Sequence, residues 1–191
     1  MQIRKIVLAS QSPRRQEILR QLGLEFTVRP SNYEEDMSDQ RDPYELAKFL
    51  SYNKAKDVAG YYNDEIIIAA DTFAIFEGKC IGKPKDAEEA KMILRSLAGK
   101  HHKAITGFTI IDTRDGSVIS DFGEAIVKVR NLSEEEINEY VATGEPLKMA
   151  GAYALLGGGA IILDGVEGDF FSIIGLPITK VYLALKELKA I

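Results

Sequence analysis

Several groups of residues in this chain have types and spacings that could handle phosphate chemistry. The stretch Ser10, Gln11, Ser12, Pro13, Arg14, Arg15 places two arginines where Ser12 and Pro13 read as the cap and first residue of a helix that Gly23 ends. The amino end of a helix is already positive, and each cation there should cost about 0.3–1 kcal/mol. A bound phosphate would offset that cost, because the hydroxyls and amides of the turn join the helix end in an anion site. Lys54 falls on the spacing Leu46, Leu50, Lys54, Val58 and so interrupts an apolar helix face. Its ammonium either snorkels to the surface or reaches a cleft. Asp71 closes the apolar run Ile66 to Ala70, with Thr72 beside it. It reads as a capping or turn residue, or as a general base or metal ligand. Lys83 lies between Gly82 and Pro84, in a rigid turn that is either plain surface or a mount aiming the lysine at a phosphate. The acidic run Glu34, Glu35, Asp36 is either solvated or a further source of oxygen ligands for a hard cation. Arg14, Arg15, Lys54 and Lys83 together would neutralise most of a triphosphate, and one or two carboxylates would hold its metal.

Other constellations exclude chemistry. The glycines between Gly151 and Gly159 are misspaced for a dinucleotide fingerprint and precede a strand, so they read as close backbone packing or as the wall of a base pocket. His101 and His102 have no metal-ligand spacing with Cys80 and read as strand-edge residues; no nucleophilic triad is visible. A net charge of −5 argues against nonspecific nucleic-acid binding, which needs basic surface. The single cysteine, Cys80, excludes an intramolecular disulfide and reads as a small buried hydrophobe, which fits a reducing cytoplasm. No apolar run approaches the ~18 residues of a membrane span, and MQIRKIVLAS is too short in its apolar part for a signal peptide.

The elements that must carry these residues alternate along the chain. A strand from Ile3 to Ala9 feeds the first helix, whose Ile18, Leu19 and Leu22 face inward; a second strand covers Glu25 to Arg29. Asp42, Pro43 and Glu45 open a helix running to about Gly60. The strand EIIIAAD ends at its carboxylate, and a hairpin turns about Glu77, Gly78 and Lys79. A helix capped by Asp86 and Glu89 stops at Gly99, strands over Lys103–Asp112 and Ser117–Arg130 flank an RDG turn, and Ser133 with Glu136 boxes a helix that Gly144 ends. A strand near Ile161 and a helix from about Pro177 complete the order. At 191 residues and 46% hydrophobic, the chain can bury a core without disulfide or metal. The expected fold is α/β: a mixed twisted sheet flanked by helices, in one domain over 1–191.

The blocks LASQSPRRQEIL, NKAKDVA, AADTF, IGKPKD, LAGKHHKAITG, GEPLKMAGAY and IIGLPI together resemble the Maf family of nucleoside-triphosphate pyrophosphatases, in the family's order from Ile6 to about Val181. The resemblance implies two lobes around a central cleft, as in inosine-triphosphatase-like folds, and often a homodimer. It implies cleavage of a nucleoside triphosphate between its α and β phosphates with a divalent cation, Mg²⁺ first and Mn²⁺ or Co²⁺ as alternatives. Carried over position by position, Ser10, Arg14, Arg15, Lys54 and Lys83 match phosphate-binding positions, with Lys54 and Lys83 counted among the catalytic residues. Glu35 and Asp71 match the acidic positions, Glu35 as metal ligand and Asp71 as base or metal ligand. Arg14 and Thr72 match the branch that resembles dTTP/UTP pyrophosphatases rather than the 7-methyl-GTP branch. Leu156 departs from the pattern, standing where G-A-Y-x-I-Q-G has glutamine.

Two other readings use the same residues. A sugar-phosphate nucleotidyltransferase also begins with a strand, an arginine-bearing small-residue loop and a later K-P, but its first loop is glycine-rich and QSP supplies no glycine. A nucleotide-sensing or cell-division interaction protein would bind in the same place without turnover. Pyrophosphate release in the absence of an acceptor marks the hydrolase, and binding without product favours the sensing protein.

Overall fold

The computed structural model describes residues 2–34 and 41–191. The elements follow as β1 (Ile6–Leu8), α1 (Pro13–Gln21), β2 (Phe26–Val28), α2 (Pro43–Ala59), β3 (Ile66–Phe76), β4 (Lys79–Ile81), α3 (Ala87–Leu97), β5 (His101–Asp112), β6 (Val118–Val129), α4 (Glu134–Ala142), β7 (Leu163–Gly168), α5 (Phe170–Ile174) and α6 (Ile178–Glu187). The strands form a seven-stranded sheet in the order β2-β1-β3-β5-β6-β7, with β4 paired to β3. Pairing is parallel for β1 with β2 and β3, and antiparallel for β3 with β4 and β6 with β7, so the expected mixed sheet with helices is what forms.

Local chemistry explains most boundaries. Ser12 Oγ accepts from the Arg15 amide, Asp42 from Tyr44, and Asp86 from Glu89, each satisfying an orphan N–H of its helix. Ser133 and Glu136 form a reciprocal capping box at α4. The β3–β4 hairpin turns on Glu77 and Gly78, both at positive φ (50° and 76°), the geometry whose twist matches that of its strands. Three boundaries depart from the sequence reading. β1 begins at Ile6 rather than Ile3, and Ile3 is solvent-exposed. β3 does not stop at Asp71 but continues through Thr72 and Phe73 to Phe76, because the alternation of apolar and β-branched residues persists past the carboxylate. The residues about Ile161 form a 3₁₀ turn, Gly158–Ile162, and the strand follows it.

The chain divides into two compact units, one of Met1–Asp71, Thr106–Gly123 and Gly175–Ile191, the other of Thr72–Ile105 and Glu124–Ile174. In the first, Val7, Ala9, Ala55, Val58, Ile67 and Ala69 pack α2 against the parallel strands. A β-carbon added at Gly107 of β5 would lie 2.2 Å from the Ala47 carbonyl oxygen of α2, so this glycine sets how closely that helix approaches the sheet. The Ser51 hydroxyl shares a 2.9 Å hydrogen bond with that of Thr109, tying the same two elements. Gly107→Ala must push backbone from backbone, and we expect a loss of about 1–3 kcal/mol or more, measured by urea unfolding.

The second unit gathers Leu94, Val127, Ile137, Tyr140, Tyr153 and Ile162 between α3, α4 and the sheet. His102 belongs to this interior. It is buried rather than at a strand edge, edge-on to Tyr153 with ring centroids 5.5 Å apart and Nε2 3.0 Å from the Tyr153 hydroxyl. Tertiary packing overrode its polarity. Cys80 is half-buried on the short strand β4. Burial, followed by the nearby His101, lowers the His102 pKa from 6.5 to about 4. Below pH 6.5 the unfolded chain takes up this proton before the folded one, so stability present above that pH is lost as pH falls toward 4, by about 2–3 kcal/mol. His102→Phe should flatten the fall between pH 6.5 and 4 in denaturant titrations. A wild-type slope in that variant would show that other groups carry it.

Candidate active site

The site is built at the carboxyl end of the parallel strands of the first unit. Leu8 pairs with Ile68, and the Ala9 amide donates to the Ile68 carbonyl at 2.8 Å, so the turn that follows β1 lies beside the stretch of β3 that leads to Asp71. That end of an α/β sheet is where loops and helix amino termini converge and where such folds bind ligands.

Lys54 does not snorkel. Leu46, Leu50, Lys54 and Val58 are all buried along one face of α2, and Lys54 Nζ donates to Asp71 Oδ1. The two residues are only 9% and 5% exposed, which makes this a charge pair removed from water. Removing one member of such a pair strands the other in a poorly solvating place, so each residue fixes its partner's position.

The basic turn is organised around Arg15. Its Nε donates to the Gly175 carbonyl at 2.9 Å and its Nη1 to Ser10 Oγ at 3.1 Å, while Ser10 Oγ also accepts from the Ser12 amide at 3.2 Å. Ser10 is buried and Arg14 half-buried in the same turn. Each hydrogen bond contributes about 0.5–1.5 kcal/mol, enough to offset the unfavourable placement of Arg15 at the helix start. Gly175, with φ of +129°, lies in the backbone region that glycine tolerates best. Its carbonyl was invisible as a partner in the sequence; the only sign of it was the Gly175, Leu176, Pro177 block. Gly107 closes the LAGKHHKAITG block, yet nothing there showed its role, which lies in a contact with a helix far along the chain.

Together these residues offer a buried carboxylate held by a lysine, and a serine and two arginines at a helix amino terminus. A carboxylate can take a proton from water or give oxygen to a hard cation, and the basic turn can hold an anion. Thr72 and Lys83 belong to the second unit, Thr72 half-buried just after Asp71 and Lys83 exposed beyond β4. Glu35 and Asp36 lie outside the described residues, and Glu34 is exposed. Leu156 is 64% exposed. Among the described residues no three His, Cys, Asp or Glu side chains gather as a metal cluster, and no helix is long and apolar enough to cross a membrane.

The family model of Maf-like proteins matches residues 5–188 of this chain. A dTTP/UTP pyrophosphatase of Thermoanaerobacter sp. strain X514 is 48% identical over 183 residues, covering 95% of each chain. Proteins of the same name from Alkaliphilus oremlandii and Methanosarcina barkeri are 44% and 45% identical, over 96% and 93% of this chain and 96% and 91% of theirs. A solved nucleoside-triphosphatase / dITP/XTP pyrophosphatase of Mycobacterium abscessus aligns with a TM-score of 0.48 and 12% identity, covering 97% of this chain and 96% of that one. With its sequence matched over nearly its whole length, the chain belongs to the family of Maf-like proteins.

Proposed function

We propose that this protein hydrolyses nucleoside triphosphates between the α and β phosphates, giving a nucleoside monophosphate and pyrophosphate, with the pyrimidine nucleotides dTTP and UTP preferred. The observation that carries the reading is the buried Lys54–Asp71 pair, whose Asp71 lies on β3 three residues past the Ile68 that pairs with Leu8, just before the Ser10–Arg15 turn. The names of relatives 44–48% identical over 95–96% of the chain support the same chemistry.

In this mechanism Arg14, Arg15 and Ser10 bind and orient the phosphate chain, and Lys83 adds positive charge to it. Lys54 holds the Asp71 carboxylate in place through its hydrogen bond. A water molecule attacks the α phosphorus, Asp71 takes its proton, the new O–P bond forms, and the bond from the α phosphorus to the bridging oxygen breaks. Pyrophosphate leaves with that oxygen and its electron pair, and the proton passes from Asp71 to solvent. The donor chemistry suits Mg²⁺, which needs only one or two carboxylates when phosphate oxygens and water complete its shell. Asp71 would be one ligand and Glu35 the other. When bound, the cation spreads the charge that develops on the phosphates. Thr72 and Leu156 are assigned to the nucleoside end. Leucine offers the base no donor or acceptor, so discrimination among pyrimidines should be looser than a glutamine would give, and a 5-methyl group should be well accepted.

The test is a panel of dTTP, UTP, CTP, GTP and 7-methyl-GTP incubated with Mg²⁺ and no acceptor. Equal amounts of monophosphate and pyrophosphate, fastest with dTTP or UTP, are expected. Orthophosphate with diphosphate, or binding without product, would overturn the reaction; a clear preference for 7-methyl-GTP would overturn the substrate.

A further inference from the structure

Within the first unit, the stretch Gly175–Ile191 reaches the basic turn through a backbone carbonyl. Arg15 Nε donates to the Gly175 oxygen at 2.9 Å, and Arg15 Nη1 donates to Ser10 Oγ at 3.1 Å. A guanidinium is a flat, rigid fork, so holding two of its nitrogens fixes the plane and direction of the whole group. Ser10 is itself steadied by the Ser12 amide, which donates to its Oγ at 3.2 Å. The Gly175 carbonyl supplies a tie from outside the helix and the turn before it, 160 residues along the chain.

That carbonyl belongs to a stretch fixed at both ends. Leu176, the next residue, is fully buried, and Pro177 begins α6, whose Val181 and Leu185 are fully buried as well. Lys180 Nζ donates to Asp121 Oδ2 at 2.8 Å and to the Phe122 carbonyl at 2.6 Å. At the far end, the Ala190 carbonyl accepts from the Ile3 and Arg4 amides at 2.9 and 3.2 Å. Gly175 has a φ of +129°, a conformation that side chains rarely adopt. A residue with a β-carbon must turn the backbone there, and the turn carries the carbonyl oxygen away from Arg15.

We infer that Gly175 is a positioning residue for phosphate binding, acting through Arg15: its carbonyl sets the guanidinium in place before the anion arrives. The inference rests on the reading of the basic turn as the holder of the phosphate chain. An arginine held beforehand loses less freedom when the anion binds, so the free energy of ordering it is not charged against affinity. The same contact serves substrate and transition state alike, so its loss appears in KM rather than in kcat.

The experiment compares Gly175→Ala, Arg15→Lys and the double variant with the unaltered protein, measuring calorimetric binding of inorganic pyrophosphate and the kinetics of dTTP hydrolysis. Gly175→Ala should weaken pyrophosphate binding and raise the KM for dTTP by about tenfold each, the loss expected for a charge-assisted contact, with kcat within about twofold. Arg15→Lys keeps the charge without the fork, so adding Gly175→Ala to it should change pyrophosphate affinity by less than about twofold. A further tenfold loss in the double variant would overturn the inference, because Gly175 would then act on something other than Arg15. Unchanged pyrophosphate affinity in Gly175→Ala would overturn it too, as would a fall in kcat with KM unaltered. A second measurement needs no variant of Gly175 and carries the test if Gly175→Ala does not fold. The Arg15 Nε–H resonance of the free protein, assigned by its loss in Arg15→Lys, should exchange slowly with water; rapid exchange would overturn the inference. Pyrophosphate bound by the unaltered protein without product from any nucleotide would overturn the hydrolase reading, while the exchange and binding results would still decide the role of Gly175.

Discussion

Asp71→Asn should lower kcat for pyrophosphate release by about 10²–10⁴-fold, the usual effect of removing a general base, while the protein still folds cooperatively. The expectation comes from burial and partnership. Asp71 is almost wholly out of water and accepts from Lys54 Nζ, so its carboxylate is held by one neighbour, three residues past the Ile68 that pairs with Leu8 before the basic turn. Asparagine has the same shape and still gives Lys54 a carbonyl oxygen, but it cannot take a proton from water. Its neutral side chain compensates the buried ammonium less well, so some stability should be lost, on the order of 1–3 kcal/mol. Two further measurements separate the possible roles. If Asp71 acts as the base, a non-hydrolysable α,β-methylene analogue of dTTP should bind the variant nearly as well as the unaltered protein, and added Mg²⁺ should not restore turnover. If it acts chiefly as a metal ligand, high Mg²⁺ should recover much of the rate. A variant keeping more than half of the original kcat would remove Asp71 from the chemistry altogether.

The second large effect is on stability and lies away from the site. Arg4 Nη1 donates to Asp112 Oδ2 at 2.7 Å and Nη2 to Oδ1 at 2.8 Å, a two-pronged pair whose side chains are 8% and 6% exposed. Asp112 Oδ1 also accepts from the Arg114 amide at 2.9 Å, which fixes the turn after β5. Arg4, above all through its hydrogen bonds, holds the Asp112 carboxyl below its ordinary pKa. Asp112→Ala leaves the guanidinium buried without its main partner, and breaking such a pair costs about 3–5 kcal/mol. The lower end is expected, because Asp64 Oδ1 stays 3.4 Å from Arg4 Nη2 and keeps part of the compensation. Since the folded-state pKa of Asp112 is depressed, its stabilisation is present above about pH 4 and lost as pH falls through the folded value. The deficit of Asp112→Ala should therefore be largest near neutral pH and shrink under acid, read from urea midpoints at pH 7 and pH 3. A deficit under about 1 kcal/mol at pH 7 would mean that water or Asp64 replaces the partner.

What was legible in the sequence was local. Caps at Ser12, Asp42, Asp86 and Ser133 are short-range hydrogen bonds, so their residue types announce them, and the helices begin where those residues stand. Lys54 could be singled out as an oddity because helical periodicity alone puts it on the buried face with Leu46, Leu50 and Val58. Its partner could not, because the choice between snorkelling outward and pairing inward depends on how closely α2 lies to the sheet. That distance is set by a missing β-carbon at Gly107, sixty positions beyond Ala47 in the chain. The same holds for Arg15, whose position in the first helical turn was readable while its tie to the Gly175 carbonyl was not, because a backbone carbonyl has no signature in residue type. His102 was misread for a related reason: a histidine at the start of a strand carries no sign of the tyrosine fifty-one residues later that makes its burial tolerable. Residue type decides which groups can donate, accept or carry charge. Only the tertiary structure decides which of them leave water together, and a group's charge, orientation and cost follow from that.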